Sequence, residues 1–276
     1  MDTVTRYNEP IKLEQRQLIA KRYMRITHAI NAEFRGIDND TAYSRYVGSY
    51  GRGTAIDTSD IDILIELPRD EYNRYDALKG NGQSRLLQAV KNAVLTTYPL
   101  SKVKADGQVV VVNFSDGMKF EILPAFRQLD WFGNWNGKYD YADSNMGGNW
   151  RSTNPKAEQE AMAQRNKDSN GLLYDTCKHI REIRDTHFKS YHLSGIVIDS
   201  YVYHHIADWH WLASGETTTQ PSGETTTQPS GTYEKKLSNE CPMWSFTLTA
   251  PGSGDVVDTT NSVNCLQKVL NYMAKE

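Results

Sequence analysis

The chain has 276 residues, with 34 Asp and Glu against 31 Lys and Arg for a formal net charge of −3, and it is 38% apolar and 24% charged. This composition excludes a disordered or fibrous chain and suffices for one large domain or two compact lobes around a sizeable core. Without a long Lys/Arg block, strong nucleic-acid binding through the backbone charge is not expected. The start MDTVTRYNEPIKLEQRQ lacks the apolar core of a signal peptide, and no segment approaches the roughly 18 apolar residues of a membrane span, so a cytoplasmic protein with no membrane partner is expected. Cys177, Cys241 and Cys265 are odd in number and form no CxxC pair, which fits reduced thiols better than a disulfide frame or zinc site.

From Leu13 to Phe34 the apolar residues Ile19, Tyr23, Ile26, Ile30 and Phe34 recur at spacings of three and four, predicting an amphipathic helix stopped by Gly36. Tyr46-Val47 leads into a turn at Gly48, and Asp60 to Leu67 alternates well enough for a strand ended by Pro68. Tyr72 to Tyr98 reads as helix, Val109 to Phe114 as strand, Ser115-Asp116-Gly117 as a tight turn, and Met118 to Leu123 as the returning strand. Trp131 to Trp150, rich in Gly, Asn and aromatics, reads as an irregular connection, and Asn154-Pro155 opens a polar helix. The rest is mostly helical, over Leu172 to Asp185, Gly195 to Leu212 and Val263 to Lys275. Within it, Ser214 to Gly231 writes one eight-residue unit twice with nothing apolar to bury, and is expected to be a solvated loop. A lobe boundary near residue 153 divides the chain into 1–153, a core lobe of mixed helix and strand, and 154–276, a helical lobe carrying the repeat loop.

The chemistry concentrates in GSYGRGTAIDTSDIDILIEL, Gly48 to Leu67. Residues two apart on a strand share a face, so Asp60 and Asp62 present their carboxylates together while Ile61 and Ile63 turn away. Glu121 sits in an otherwise apolar strand, where an unpaired carboxylate is costly, so a cation is expected to meet it. Three converging carboxylates suit hard divalent cations, and two such ions would activate an attacking hydroxyl and stabilise a leaving pyrophosphate. Gly48 and Ser49 let a backbone turn approach a phosphate, with the Ser49 amide and hydroxyl as donors, and Arg52 adds charge nearby.

This order of GS, DID and a strand-borne carboxylate in FEILPAF resembles the nucleotidyltransferase superfamily of DNA polymerase β. The fuller stretch, with Asn154-Pro155 and the helix carrying Lys178, is similar to the bacterial CD-NTases, the cGAS/DncV-like (SMODS-type) nucleotidyltransferases. The resemblance implies an α+β, polymerase β-like fold of two lobes, a mixed-sheet core lobe and a mainly helical C-terminal lobe, with the active site in the cleft. It implies Mg²⁺-dependent joining of nucleoside triphosphates, ATP among them, into a cyclic di- or trinucleotide messenger for anti-phage (CBASS) defence. Two Mg²⁺ ions, with Mn²⁺ as a substitute, and an effector activated by the product, together with regulatory partner proteins, belong to the same implication. Carried over, Gly48 and Ser49 match the phosphate turn, and Asp60, Asp62 and Glu121 match the catalytic metal triad, with Glu where many relatives have Asp. Lys178 and Ser194 match the helix residues that hold the triphosphate.

A base in the site needs a stacking surface, for which Tyr191, Tyr201 and Tyr203 are candidates. His204, His205 and His210 near Asp208 read as ordinary polar residues, because adjacent histidines face different ways on a helix. Two other functions share parts of the motif. An acceptor-dependent terminal transferase acting on RNA or protein would share the triad, and an RNA-tailing one would add a basic groove. An inactive nucleotide-binding module would have no physical reason to keep three mutually repelling acids.

Overall fold

Ile19, Ile26 and Ile30 are buried along one face of α1 (Leu13–Arg35), and Gly36, at φ +63°, ends it by returning its amide to the Ala32 carbonyl. The computed structural model describes residues 2–57, 60–212, 217–219, 226–227 and 230–275. The chain divides into two compact units, one of residues 11–51 and 59–155 and the other of 1–10, 52–58 and 156–276. No helix among the described residues is long and apolar enough to cross a membrane.

The first unit is built on a mixed seven-stranded sheet. Its strands are β1 (Ser44–Tyr46), β2 (Ile61–Glu66), β3 (Lys102–Asp106), β4 (Val109–Asn113), β5 (Lys119–Leu129), β6 (Trp135–Asp143) and β7 (Asn149–Thr153). The path runs β1-β2-β5-β4-β3, with β6 joining β5 to β7, and β2 and β5 are parallel while every other pair is antiparallel. Ile61, Ile63, Leu64 and Ile65 of β2 and Phe120, Ile122, Ala125 and Phe126 of β5 are all buried, as expected of a central parallel pair covered on both faces.

Two sequence expectations are corrected here. The helix expected over Tyr72–Tyr98 is two, α3 (Arg69–Asp76) and α4 (Gly82–Thr97). Asn81 accepts a hydrogen bond from the Ser84 amide at 2.8 Å and caps a fresh helix start, and Gly82 passes so near the Tyr75 carbonyl that a Cβ would lie 1.9 Å from it. The connection read as irregular between Trp131 and Trp150 holds β6 and most of the turn into β7; Tyr139 and Ala142 are buried on it, with a register shift at Arg127/Leu129 where the pattern loses its period.

The second unit is helical: α5 (Pro155–Asp168), α6 (Leu172–His187), α7 (Gly195–His205), α8 (Thr232–Glu240) and α9 (Val263–Ala274). Leu172, Leu173, Ile180, Val197, Ile198, Tyr201, Leu237, Leu266, Val269 and Leu270 form its core. The helix expected over Gly195–Leu212 ends at His205, and β8 (Trp209–Trp211) follows after Ala207, whose φ is +48°. Most of the Ser214–Gly231 repeat lies outside the described residues. Within it, β9 (Thr217–Thr219) pairs antiparallel with β8, and β10 (Thr226–Thr227) with β9, in keeping with the strand preference of β-branched threonine, while Ser230 and Gly231 form a turn. A last two-stranded ladder joins β11 (Leu248–Thr249) to β12 (Val256–Val257).

Charge is buried at the centre of this unit. Asp199 on α7 is fully buried and accepts from Arg52 Nε at 2.9 Å and from Thr54 at 3.0 Å, while Arg181 on α6 pairs with it at 2.7 Å. Arg52 also meets Glu158 on α5 at 2.9 Å, and Arg181, 1% exposed, donates to the Cys177 and Gly195 carbonyls. Burial by itself raises the Asp199 carboxyl, but Arg181 and Arg52 outweigh it and hold the group below the usual carboxylate range. Residues 52–54 are thereby fixed to three helices, with Gly53 seated against the Tyr174 ring. Asp199→Ala, which leaves two buried guanidinium groups facing a void, is expected to destabilise the protein by about 3–5 kcal/mol in urea unfolding. A loss below about 1 kcal/mol would mean that water replaces the carboxylate.

Candidate active site

Val47, buried with Leu64, Ala125 and Tyr139, anchors the end of β1, and its amide donates to the Asp62 carbonyl at 2.9 Å. The chain then turns through Gly48, at φ +57°, into the single helical turn α2 (Gly48–Gly51), which Gly51 closes by donating to the Val47 carbonyl. A Cβ on Gly48 would lie 1.8 Å from Asp62 Oδ2, so only glycine lets this turn rest against the carboxylate. Register does the rest. Asp62 on β2 is directly paired with Glu121 on the parallel strand β5, and the two side chains share a face. Gly48, Asp62 and Glu121 line one pocket of about 240 Å³ together with Val47, Gln108, Val109, Leu123, Tyr141 and Thr153.

Asp60 lies one residue before β2 and is 47% exposed at its side chain. Between it and Glu121 stands Lys119, whose ammonium is 2.7 Å from Asp60 Oδ2 and 2.6 Å from Glu121 Oε1. Burial draws the Lys119 pKa down, but the hydrogen bonds to Asp60 and Glu121 overcome it, and the net shift is upward, so this group is a held cation. All donors here are carboxylate oxygens, the ligand type of hard divalent cations, and two of them already grip one positive charge. Among the described residues, no three His, Cys, Asp or Glu side chains stand close enough together to enclose a metal ion as they are placed.

The expected site residues therefore fall into two groups. Gly48, Ser49, Asp60, Asp62 and Glu121 belong to the sheet unit, and Arg52, Lys178 and Ser194 to the helical unit. Arg52, expected beside phosphates, has its Nε and Nη1 engaged by buried Asp199 and Glu158, a fixed structural ion pair. Lys178 on α6 is 9% exposed, lies 5.8 Å from the Tyr174 ring, and has its pKa lowered chiefly by burial. Ser194 precedes α7, and its amide donates to Ser262 Oγ at 3.1 Å.

Of the candidate stacking tyrosines, Tyr201 is fully buried with its hydroxyl on the Leu237 carbonyl, and Tyr203 packs against the helical core. Tyr191 is 43% exposed, with the Lys268 ammonium 4.9 Å from its ring centre. The histidines are engaged separately: His204 with the Thr249 carbonyl, His205 with Glu240 and His210 with the Asp208 carbonyl. Sequence reasoning missed Lys119, Gln108 and Tyr141. The first was legible, since the alternation that aligns Asp60 with Asp62 also aligns Lys119 with Glu121.

Residues 2–166 match the family described as the Second Messenger Oligonucleotide or Dinucleotide Synthetase domain, SMODS. The chain belongs to this family. It is a nucleotidyltransferase of the bacterial CD-NTase group, with the polymerase β-like α+β fold. The fold is similar to that of the Elizabethkingia meningoseptica CdnE cyclic dinucleotide synthase, solved with GTP and Apcpp (TM-score 0.61, 15% identity, covering 96% of this chain and 93% of that one). It is also similar to Vibrio cholerae DncV cyclic AMP-GMP synthase (TM-score 0.59, 12% identity, 99% and 85%) and to the STING-associated CdnE c-di-GMP synthase of Capnocytophaga granulosa (TM-score 0.60, 10% identity, 94% and 81%). No curated protein sequence matches the chain.

Two glycines of similar φ separate close approach from backbone strain. Gly36→Ala, with no atom within 4 Å of the new Cβ, is expected to cost about 1 kcal/mol, whereas Gly48→Ala must also displace Asp62 and is expected to cost more and to abolish activity. Parallel unfolding curves and nucleotide-incorporation assays check this; full activity in Gly48→Ala would show that the turn tolerates separation from Asp62.

Proposed function

We propose that this protein joins nucleoside triphosphates, ATP among them, without a template into a cyclic di- or trinucleotide that acts as a second messenger in anti-phage (CBASS) signalling. The observation that carries the reading is the meeting of Gly48, Asp62 and Glu121 on one pocket through the β2–β5 register. The SMODS family match supports cyclic oligonucleotide synthesis as the class of reaction. The reading places the enzyme in the cytoplasm, where triphosphates are at hand, and calls for an effector that responds to the product.

In the proposed reaction a ribose hydroxyl of one nucleotide attacks the α-phosphorus of the next, a new P–O bond forms, and pyrophosphate leaves. Two Mg²⁺ ions, or Mn²⁺, held by Asp60, Asp62 and Glu121 would supply the charge that lowers the hydroxyl's pKa and neutralises the leaving oxygen. Glu121, one methylene longer than aspartate, would ligate metal or accept the hydroxyl proton. The Ser49 amide and hydroxyl would donate to the phosphates at the turn that Gly48 permits, and Lys178 and Ser194 are proposed as further nucleotide-binding residues. Tyr141, lining the same pocket as Asp62 and Glu121, presents an aromatic face for a base or ribose.

Incubation with each labelled nucleoside triphosphate and with all four, in Mg²⁺ or Mn²⁺, followed by phosphatase and mass spectrometry, is expected to yield a phosphatase-resistant product of two or three nucleotides. A product that forms only with added RNA or protein would instead support an acceptor-dependent transferase. Asp62→Asn and Glu121→Gln are each expected to lower turnover by at least about a hundredfold, by analogy with loss of one preorganised charge-stabilising group, while removing repulsion and so sparing stability. Wild-type turnover in Asp62→Asn would overturn the site assignment.

A further inference from the structure

The carboxylates assigned to metal are not waiting bare. Lys119 Nζ makes two contacts shorter than 2.8 Å, to Asp60 and Glu121, one on each side of it. Its position follows from the strands: Lys119 opens β5 on the same face as Glu121, and the parallel register Ile61↔Phe120 brings Asp60 alongside Lys119. A divalent ion would draw on carboxylate oxygens, and two of those oxygens are already held by the Lys119 ammonium. The ammonium and the metal ion therefore compete for the same Asp60 and Glu121 oxygens.

We propose that Lys119 is a displaceable cationic latch on the nucleotidyltransferase site, which holds Asp60 and Glu121 in the metal-free protein and releases them when metal loads. This rests on the reading of Asp60, Asp62 and Glu121 as the metal carboxylates, and adds that metal binding is a competition with a residue of the chain itself. The latch suits that task. Lys119, Asp60 and Glu121 have side chains 32%, 47% and 29% exposed, so the ion pairs are wet and exchangeable, unlike the buried Asp199 cluster. Paired, Lys119 cancels part of the repulsion that would otherwise spread β2 from β5 in the metal-free protein. Displaced, it leaves both carboxylates to the metal and carries a free positive charge at the mouth of the site.

Two readouts besides turnover test the latch on the full-length protein, with Mn²⁺ alone as the probe. Mn²⁺ affinity by calorimetry or electron paramagnetic resonance is expected to tighten about five- to tenfold in Lys119→Met, which keeps the length and removes the charge, and to stay within about twofold of wild type in Lys119→Arg. Amine acylation of wild-type Lys119, followed by mass spectrometry, is expected to be slow without metal and to accelerate on saturation with Mn²⁺. Unchanged affinity in Lys119→Met, or acylation indifferent to metal, would overturn the latch. If either occurs while Mn²⁺ binds wild type and is lost in Asp62→Asn, the metal assignment stands and the latch alone fails. If neither wild type nor Lys119→Met binds Mn²⁺ at millimolar concentration, the metal assignment and the latch fall together.

Discussion

Like charges held side by side on paired strands are the constraint around which the sheet unit is organised. Asp62 and Glu121 are register partners on β2 and β5, strands about 4.8 Å apart, and Asp60 adds a third carboxylate at the strand entrance. Nothing in the carboxylates themselves favours this approach. It is imposed by the surrounding apolar residues: Ile61, Ile63, Phe120 and Ile122 turn to the opposite face and are buried, so a one-residue slip in register would expose them and bury the acids. Burial of each such side chain contributes on the order of 1.5–3 kcal/mol, and a few of them outweigh the repulsion of half-exposed carboxylates. The fold thus holds negative charge where a cation is wanted, at a cost the rest of the sheet offsets.

The helical unit handles charge in the opposite way. Asp199 is enclosed by Arg52, Arg181 and Thr54, and every partner is supplied by the chain. A buried carboxylate already paired with two guanidinium groups cannot admit a ligand without breaking an existing pair, which is why its role is structural: it ties residues 52–54 to α6 and α7. Asp60 and Glu121 of the sheet unit have side chains 47% and 29% exposed and share one lysine, the condition under which an ion can exchange. The contrast between a buried cluster and an exposed one is a better guide to function than the number of charged residues in either.

How much of this the sequence disclosed follows from where its periods are clean. The 3.6-residue stripe of α1, the alternation of β2 and the Ser115–Gly117 turn between β4 and β5 are each set by local residues, and the structure keeps them. The break between α3 and α4 was hidden because Gly80-Asn81-Gly82 interrupts an otherwise continuous helical composition, and its cause, the approach to the Tyr75 carbonyl, is tertiary. The β6–β7 hairpin was hidden by its glycines and asparagines, so no face could be assigned to Tyr141 before the pairing was seen. The glycine turn at Gly48 and the shared face of Asp62 and Glu121 were legible because both follow from turn and strand spacings. Arg52 was expected beside phosphates because a charged residue after a glycine turn carries no local signal that it will be buried; only Asp199 and Glu158, more than a hundred residues away, decide that.

The choice of glutamate at position 121 gains a reason from the register. Two aspartates at positions 62 and 121 would place both carboxylates at the same height above the sheet, side by side. The extra methylene of Glu121 carries its carboxylate beyond that of Asp62, towards the Lys119 ammonium two residues earlier on the same face, and lets it lean along the strand rather than across to its neighbour. Repulsion falls with the separation, and the carboxylate gains a cation at 2.6 Å in exchange. Lys119 and Glu121 are therefore one device: a longer acid that can reach a lysine in the absence of metal, and swing back towards Asp62 when a stronger cation takes the lysine's place.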